Sequence, residues 1–464
     1  MADYVFLLKN ILVVSLAVNM CLILKISYYF DDDVETLTSK RGSHMNHELY
    51  LNGDKNNCFN GVNQKNNRRA EVDAHVSKTT TTKVLPKTTS SSPAAPDDGE
   101  GVVINLDHGD PTMYENFWKQ KGEETTVVTS SWQYISYFSD LKNVCWFLEP
   151  ELVSSITRIH KVVGNAITEG RHIVVGTGSS QLYQAALFAL SPSDAPGPMS
   201  VVSAAPFYSS YPLMTDYLKS GLHKWAGDGS DLNKEEPYIE LVTSPNNPDG
   251  FTRQDVVKGN KGILIHDLAY YWPQYTPISS PADNDIMLFT VSKSTGHAGT
   301  RIGWALVKDR AIAKKMTTFI EINTIGVSKE SQIRAAKILQ AVSDSCEQAN
   351  EKEAESFFNY SYRIMEERWK KIREAVNKTH LFSLPNFTQE TCSFSGRTFG
   401  QLPAFAWLKC EGEVDDCESL LRKHKIWTRG GKHFGASTKY VRISMLSQDI
   451  EFEILTRRLP KIIS

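Results

Sequence analysis

The stretch FTVSKSTGHAGTRIGWALV, residues 289 to 307, sets Thr290, Lys293 and Arg301 in the spacing T-x-x-K-x7-R, at the passage from an apolar run into a small-residue loop. A lone lysine in a turn is ordinarily a solvated surface group, so its chemistry depends on what other loops bring to it. GTGSS at 176 to 180 joins the apolar run HIVV to QLYQAALFAL, a helical sequence. Glycine lets a backbone approach closely, and the free N–H groups and positive dipole end of a helix N-terminus suit an anion such as phosphate at Ser179 and Ser180. The loop has neither a nucleotide P-loop pattern nor G-x-G-x-x-G, and alone it reads equally as a tight turn. SPNNPDG at 244 to 250 presents the amides of Asn246 and Asn247. Asp267 closes the apolar run GILIHD, where a carboxylate needs a cation or N–H partner; capping a helix is the plainer alternative.

Together these loops suit one ligand with an anionic group, a group that hydrogen-bonds a carboxylate, and an electrophile for a lysine amine. Pyridoxal 5'-phosphate has all three. Lys293 would bond its aldehyde carbon, Asp267 would keep its ring nitrogen protonated, and the planar fork of Arg301 would hold its phosphate.

The elements that must position these loops follow an alternating pattern. Short β-branched runs at 172–177, 200–205, 239–244, 262–267, 286–291 and 303–307 are mostly separated by helical stretches, which predicts an α/β fold with a largely parallel sheet and ligands at the strand ends. Phe358, Tyr362, Met365, Trp369, Ile372 and Val376 share one helix face, suited to packing one domain on another, with a short coiled coil as the alternative. FAWLKC and YVRISML are strand candidates of a smaller α/β unit.

The chain of 464 residues, 41% hydrophobic, can bury a core of two domains or one large one. Its net charge of -2 supplies no basic field for nucleic acid, which leaves small molecules as the expected partners. Its 7 cysteines are too few for a disulfide framework at this length. Cys410 and Cys417 could pair, yet free thiols in a reducing compartment are the expectation.

Residues 1–30 are mostly apolar, with a charge-free stretch between Lys9 and Lys25 shorter than the ~20 residues a spanning helix needs. Flanking lysines can lengthen that span by snorkelling. An uncleaved anchor is expected rather than a signal peptide, because KISYYFDDD offers no small-residue cleavage site. Residues 31–100 are polar and rich in Ser, Thr, Asn and Lys, the composition of a disordered tether, and the globular region is expected over 101–464. The modest Lys and Arg excess after the apolar run predicts a cytosolic catalytic region.

INLDHGDPTMYENFW, SYFSDLKNVCWFLEPEL, APFYSSYP, IELVTSPNNPDG, IHDLAYYWPQYTPI and SKSTGHAGTRIGWALVKD resemble the alliinase and tryptophan aminotransferase group of plants, within the fold-type I pyridoxal-phosphate enzymes. The resemblance implies Lys293 as the Schiff-base lysine, Asp267 at the pyridine nitrogen, and Asn247 and Tyr270 at the ring hydroxyl. It places Ser179, Ser180, Thr290 and Arg301 at the phosphate, Phe207 against the ring, and Arg442 on the substrate carboxylate. Tyr137 would reach the phosphate of a neighbouring subunit, which implies a homodimer. The implied activity is transamination of L-tryptophan to indole-3-pyruvate for auxin synthesis, with a carbon–sulfur lyase as the alternative. The N-terminal segment resembles that of a membrane-anchored member at the endoplasmic reticulum. Two departures stand out: serine at 180 where threonine is expected, and no cysteine-rich module of the true alliinases.

Overall fold

The computed structural model describes residues 101–463, apart from 233–234 and 349–354. The expected anchor and tether, residues 1–30 and 31–100, lie outside the described residues, and among those described no helix is long and apolar enough to cross a membrane.

Seven strands form the main sheet: β1 His172–Gly176, β2 Met199–Ser203, β3 His223–Asp228, β4 Tyr238–Thr243, β5 Gly262–Asp267, β6 Ile286–Thr290 and β7 Gly303–Val307. Their spatial order is β1-β7-β6-β5-β4-β2-β3. Strand β7 alone runs against its neighbours, so the expected, largely parallel sheet is present. The pattern follows from burial on both faces: β4, β6 and β7 are buried at every position, as continuous apolar runs require. The edge strand β3 escapes the sequence reading because HKWAGD is neither apolar nor regularly paired. Its register slips opposite Val201 and Val202.

Helices cover the sheet. α1 Pro150–Val163 starts with proline and ends at Gly164 in the left-handed region, and α2 Gly178–Leu190 follows β1. α3 Tyr211–Asp216 follows β2, and the single-turn α4 Val291–Ser294 follows β6. α5 Arg310–Thr324 is capped by Asp309 accepting from Ala311 and Ile312 N–H groups, and α6 Lys329–Gln348 packs on α1.

A buried relay braces the loop after β5. Trp304 donates to His160 Nε2 at 3.0 Å, so His160 Nδ1 carries the proton toward Asn165 Oδ1, and Asn165 donates to the Tyr271 carbonyl. Burial lowers the His160 pKa to about 4 and keeps the imidazole neutral.

α7 Phe357–Asn377 carries the expected apolar face. Phe358, Met365, Trp369, Ile372 and Val376 are buried, and Tyr362 is half-buried. It packs within the molecule, with Trp369 donating to the Pro403 carbonyl and Arg368 to those of Met445 and Ser447. The second sheet, ordered β10-β11-β9-β8, is antiparallel and comprises β8 Phe382–Ser383, β9 Phe405–Cys410, β10 Arg429–Gly430 and β11 Tyr440–Ser444. One hydrophobic cluster runs through both sheets, so the smaller unit shares its core with the larger.

The expectation of free thiols at 410 and 417 is corrected. Cys410 at the end of β9 is disulfide-bonded to Cys417, their Cα atoms 5.6 Å apart, whereas Cys145, Cys346 and Cys392 are free. The turn between them brings the two residues together, which spacing alone does not disclose.

Candidate active site

The carboxyl ends of β1, β4, β5 and β6 open on a cavity of about 360 Å³. Ser179, Ser180, Asn247, Asp267, Tyr270, Thr290, Lys293, Arg301 and Arg442 all line it, so nine sequence-derived candidates meet in one place.

At the anion-binding end, Ser179 and Ser180 open α2. Gly178 has φ +74°, and a Cβ there would collide with the Arg301 guanidinium; a Cβ on Gly303 would come within 2.7 Å of the Ser179 backbone N. Glycines at these points therefore let the helix N-terminus, β7 and Arg301 converge. Arg301 itself is left-handed at φ +56°, a conformation seldom adopted by residues with a Cβ. Its Nη1 donates to the Ala298 carbonyl. Thr290 caps α4 by accepting from Ser292 N–H and donates to the Ile302 carbonyl. Ser292, unremarked in the sequence, also lines the cavity.

Asp267 accepts from Tyr211 Oη at 2.8 Å and from Ala269 N–H at 3.2 Å. Burial raises its pKa; the Tyr211 and Ala269 hydrogen bonds and the Lys293 charge oppose that rise. An ionised carboxylate has no proton to give, so the Tyr211 hydroxyl points its proton at Asp267 and accepts in turn from Thr243, 2.7 Å away. Neither Tyr211 nor Thr243 carries a sequence signal of this role. Tyr211 is the third aromatic of APFYSSY, and only the turn into α3 aims it at β5.

Lys293 Nζ donates to the Gly109 carbonyl at 2.5 Å and lies 5.9 Å from the Tyr270 ring centroid. Burial, then the charge of Arg442, lowers its pKa to about 8, with Asp110 opposing. Its main chain is clamped: Tyr275 Oη donates to the Lys293 carbonyl, and Gln274 donates to that of Ser294.

Arg442 is 3% exposed and packs between Phe405 and Phe434, its guanidinium carbon 4.1 and 5.2 Å from their ring centroids. Its Nη1 donates to Asn247 Oδ1 at 3.1 Å and its Nη2 to the Asp107 carbonyl, while Nε is buried without a partner. This forked cation can take a carboxylate.

Two candidates sit elsewhere. Phe207 does not line the cavity; its ring packs edge-on against Trp225 at 4.9 Å and against Gly435. Tyr208, the next residue, lines the cavity. Tyr137 is 66% exposed, amid exposed Trp132, Ile135, Phe138 and Leu141, and does not line its own chain's cavity.

The donor set fits pyridoxal phosphate: an anion cradle that only glycine permits, a carboxylate with acceptor capacity to spare, and one lysine with a readily freed amine. Such a site at the strand ends of a mixed seven-stranded sheet defines a pyridoxal-phosphate enzyme of the aminotransferase fold. An aminotransferase from Staphylococcus aureus shares that fold, with a TM-score of 0.56 and 18% identity over 79% of this chain and 96% of its own. The allinase family model matches residues 104–463, and the chain belongs to that family, with pyridoxal phosphate as its cofactor. It is 53% identical to tryptophan aminotransferase-related protein 2 of Arabidopsis thaliana over 97% of this chain and 96% of the relative. It is also 37% identical to alliin lyase 1 of Allium sativum, over 77% and 74%.

Proposed function

We propose that the protein transfers the amino group of L-tryptophan to a 2-oxo acid such as pyruvate, forming indole-3-pyruvate for auxin synthesis. The observation that carries this reading is its 53% identity, along nearly its whole length, to tryptophan aminotransferase-related protein 2, against 37% for an alliin lyase over about three quarters of it. Pyridoxal phosphate supplies an aldehyde for the substrate amine and a ring that delocalises the charge left at Cα. Arg442 grips the substrate carboxylate. Lys293, once its amine is free, takes the Cα proton and can deliver it back, and its lowered pKa leaves a useful neutral fraction near neutrality. Asp267, held by Tyr211, keeps a proton on the ring nitrogen, with Asn247 and Tyr270 at the ring hydroxyl. Ser179, Ser180, Thr290 and Arg301 hold the phosphate, and a homodimer would bring Tyr137 of each subunit to its partner's site.

The alternative, elimination from a cysteine sulfoxide, shares the first proton transfer and differs in needing a leaving group on Cβ. Incubation with several amino donors, each with and without 2-oxo acids, separates the two. Release of pyruvate and ammonia from a cysteine sulfoxide, with no keto acid from tryptophan, sinks the transaminase reading.

Two side chains can be tested by degree. Arg301→Met removes charge-assisted hydrogen bonds of about 1.5–3 kcal/mol, so cofactor affinity should fall roughly 10- to 100-fold; an unchanged Kd contradicts the phosphate role. Tyr211→Phe removes a donor to Asp267 and should lower kcat about tenfold. Asp267 must be ionised to act, and losing that donor raises its pKa further, so the acid limb of the kcat–pH profile should move upward. A limb that stays in place argues that Tyr211 only fills space.

We further propose a membrane anchor in residues 1–30, with the catalytic region on the cytosolic side of the endoplasmic reticulum. The Cys410–Cys417 bond instead suits an oxidising compartment, so a direct test is needed. Sequons at Asn359, Asn377 and Asn386 supply it: cytosolic exposure leaves all three unglycosylated in a eukaryotic host, and a glycan on any of them overturns the orientation.

A further inference from the structure

Arg429 and Arg442 are paired partners across β10 and β11, and both line the cavity. Directly opposed residues of antiparallel strands lie roughly 5 Å apart at Cα and share a face of the sheet, so these two like charges oppose each other. Asp107 answers both. Its carboxylate accepts from Arg429 Nε at 2.5 Å and from Nη2 at 3.3 Å, while its main-chain carbonyl accepts from Arg442 Nη2. Arg429 Nη1 donates to Ser209 Oγ at 3.1 Å. Asp107 does not itself line the cavity, so it pairs with Arg429 without obstructing substrate.

We propose that the Asp107–Arg429 pair sets side-chain specificity, withholding Arg429 from a second substrate carboxylate and so selecting amino acids and 2-oxo acids whose side chains are uncharged. The inference rests on Arg442 being the α-carboxylate anchor. A guanidinium beside that anchor would otherwise recognise the distal carboxylate of a dicarboxylic acid, because the planar fork matches either carboxylate equally well. Here a dicarboxylate must displace an acceptor already tethered to the chain, and it brings its own negative charge up to that of Asp107. An uncharged side chain meets neither cost, and Tyr208 and Phe405 supply aromatic surface in the same cavity.

Two acids that cannot turn over test this on the cofactor-loaded full chain, with binding read from the change in cofactor absorbance: 3-phenylpropionate, with one carboxylate, and glutarate, with two. The wild type should bind 3-phenylpropionate the more tightly. Asp107→Asn should strengthen glutarate binding about tenfold, because it leaves Arg429 charged and unopposed while the main-chain bond to Arg442 survives. The gain should vanish when Arg429→Gln is added. Glutarate affinity equal in wild type and Asp107→Asn, or a gain that survives the second change, overturns the proposal. Arg429→Gln alone is an independent check: it should leave glutarate binding within about twofold of wild type, whereas a tenfold loss would show that Arg429 already serves a second carboxylate. Failure of the anchor reading shows separately, as 3-phenylpropionate binding that Arg442→Met leaves unmoved.

Discussion

Lys293→Met should abolish turnover, with a loss of at least about 10⁴-fold, because in the proposed mechanism one side chain serves both as the covalent attachment point and as the acid–base group at Cα. Among the described residues no other lysine lines the cavity. Borohydride should trap no cofactor on the variant, whereas wild type should be labelled at Lys293. The same substitution should stabilise the protein stripped of cofactor, with a pH dependence whose sign is fixed. In the folded chain Lys293 titrates at about 8, against an ordinary 10.5. Below pH 8 the amine is charged in both states, so the folded protein bears the whole cost of burying it. Between 8 and 10.5 the folded amine is neutral while the unfolded one remains charged, and that cost fades as pH rises. The Tm advantage of Lys293→Met should therefore be largest below pH 8 and gone above about 10.5. An advantage that does not change with pH would assign it to packing instead.

Arg442→Met should lower kcat/KM for amino donor and 2-oxo acid alike, by roughly 10²- to 10⁴-fold, the equivalent of about 3–6 kcal/mol for two charge-assisted hydrogen bonds to a carboxylate. Cofactor affinity should change far less, because the proposed phosphate site, Arg301 and the start of α2, is separate from Arg442. Methionine keeps the apolar contacts with Phe405 and Phe434, so a global folding defect is not expected. Equal losses in cofactor and substrate binding would show that Arg442 braces the site rather than anchoring substrate.

The strand-end residues that meet in the cavity were legible in the sequence because their signals are local. Lys293 follows β6 by three residues, Asp267 ends β5, and Ser179 and Ser180 begin α2, so each is announced by the apolar run beside it. Arg301 was legible for the same reason, as a cation after small residues. Residues whose role depends on a tertiary path were silent. Tyr211 reaches Asp267 across 56 positions, and Asp107 meets Arg429 across 322; no periodicity records either. Phe207 and Tyr208 show the limit of a motif, since APFY offers two adjacent aromatics, of which Tyr208 lines the cavity while Phe207 packs on Trp225. The edge strand β3 was missed because an edge needs no continuous apolar run. The Cys410–Cys417 bond was missed because composition argues about compartments while the turn after β9 acts on distance.

The most direct test of the central claim is a stoichiometric one. Cofactor-loaded enzyme mixed with excess L-tryptophan and no 2-oxo acid should release one equivalent of indole-3-pyruvate per active site and stop, then resume, forming alanine, when pyruvate is added. Continued consumption of tryptophan without any 2-oxo acid, with indole, pyruvate and ammonia accumulating together, would contradict it.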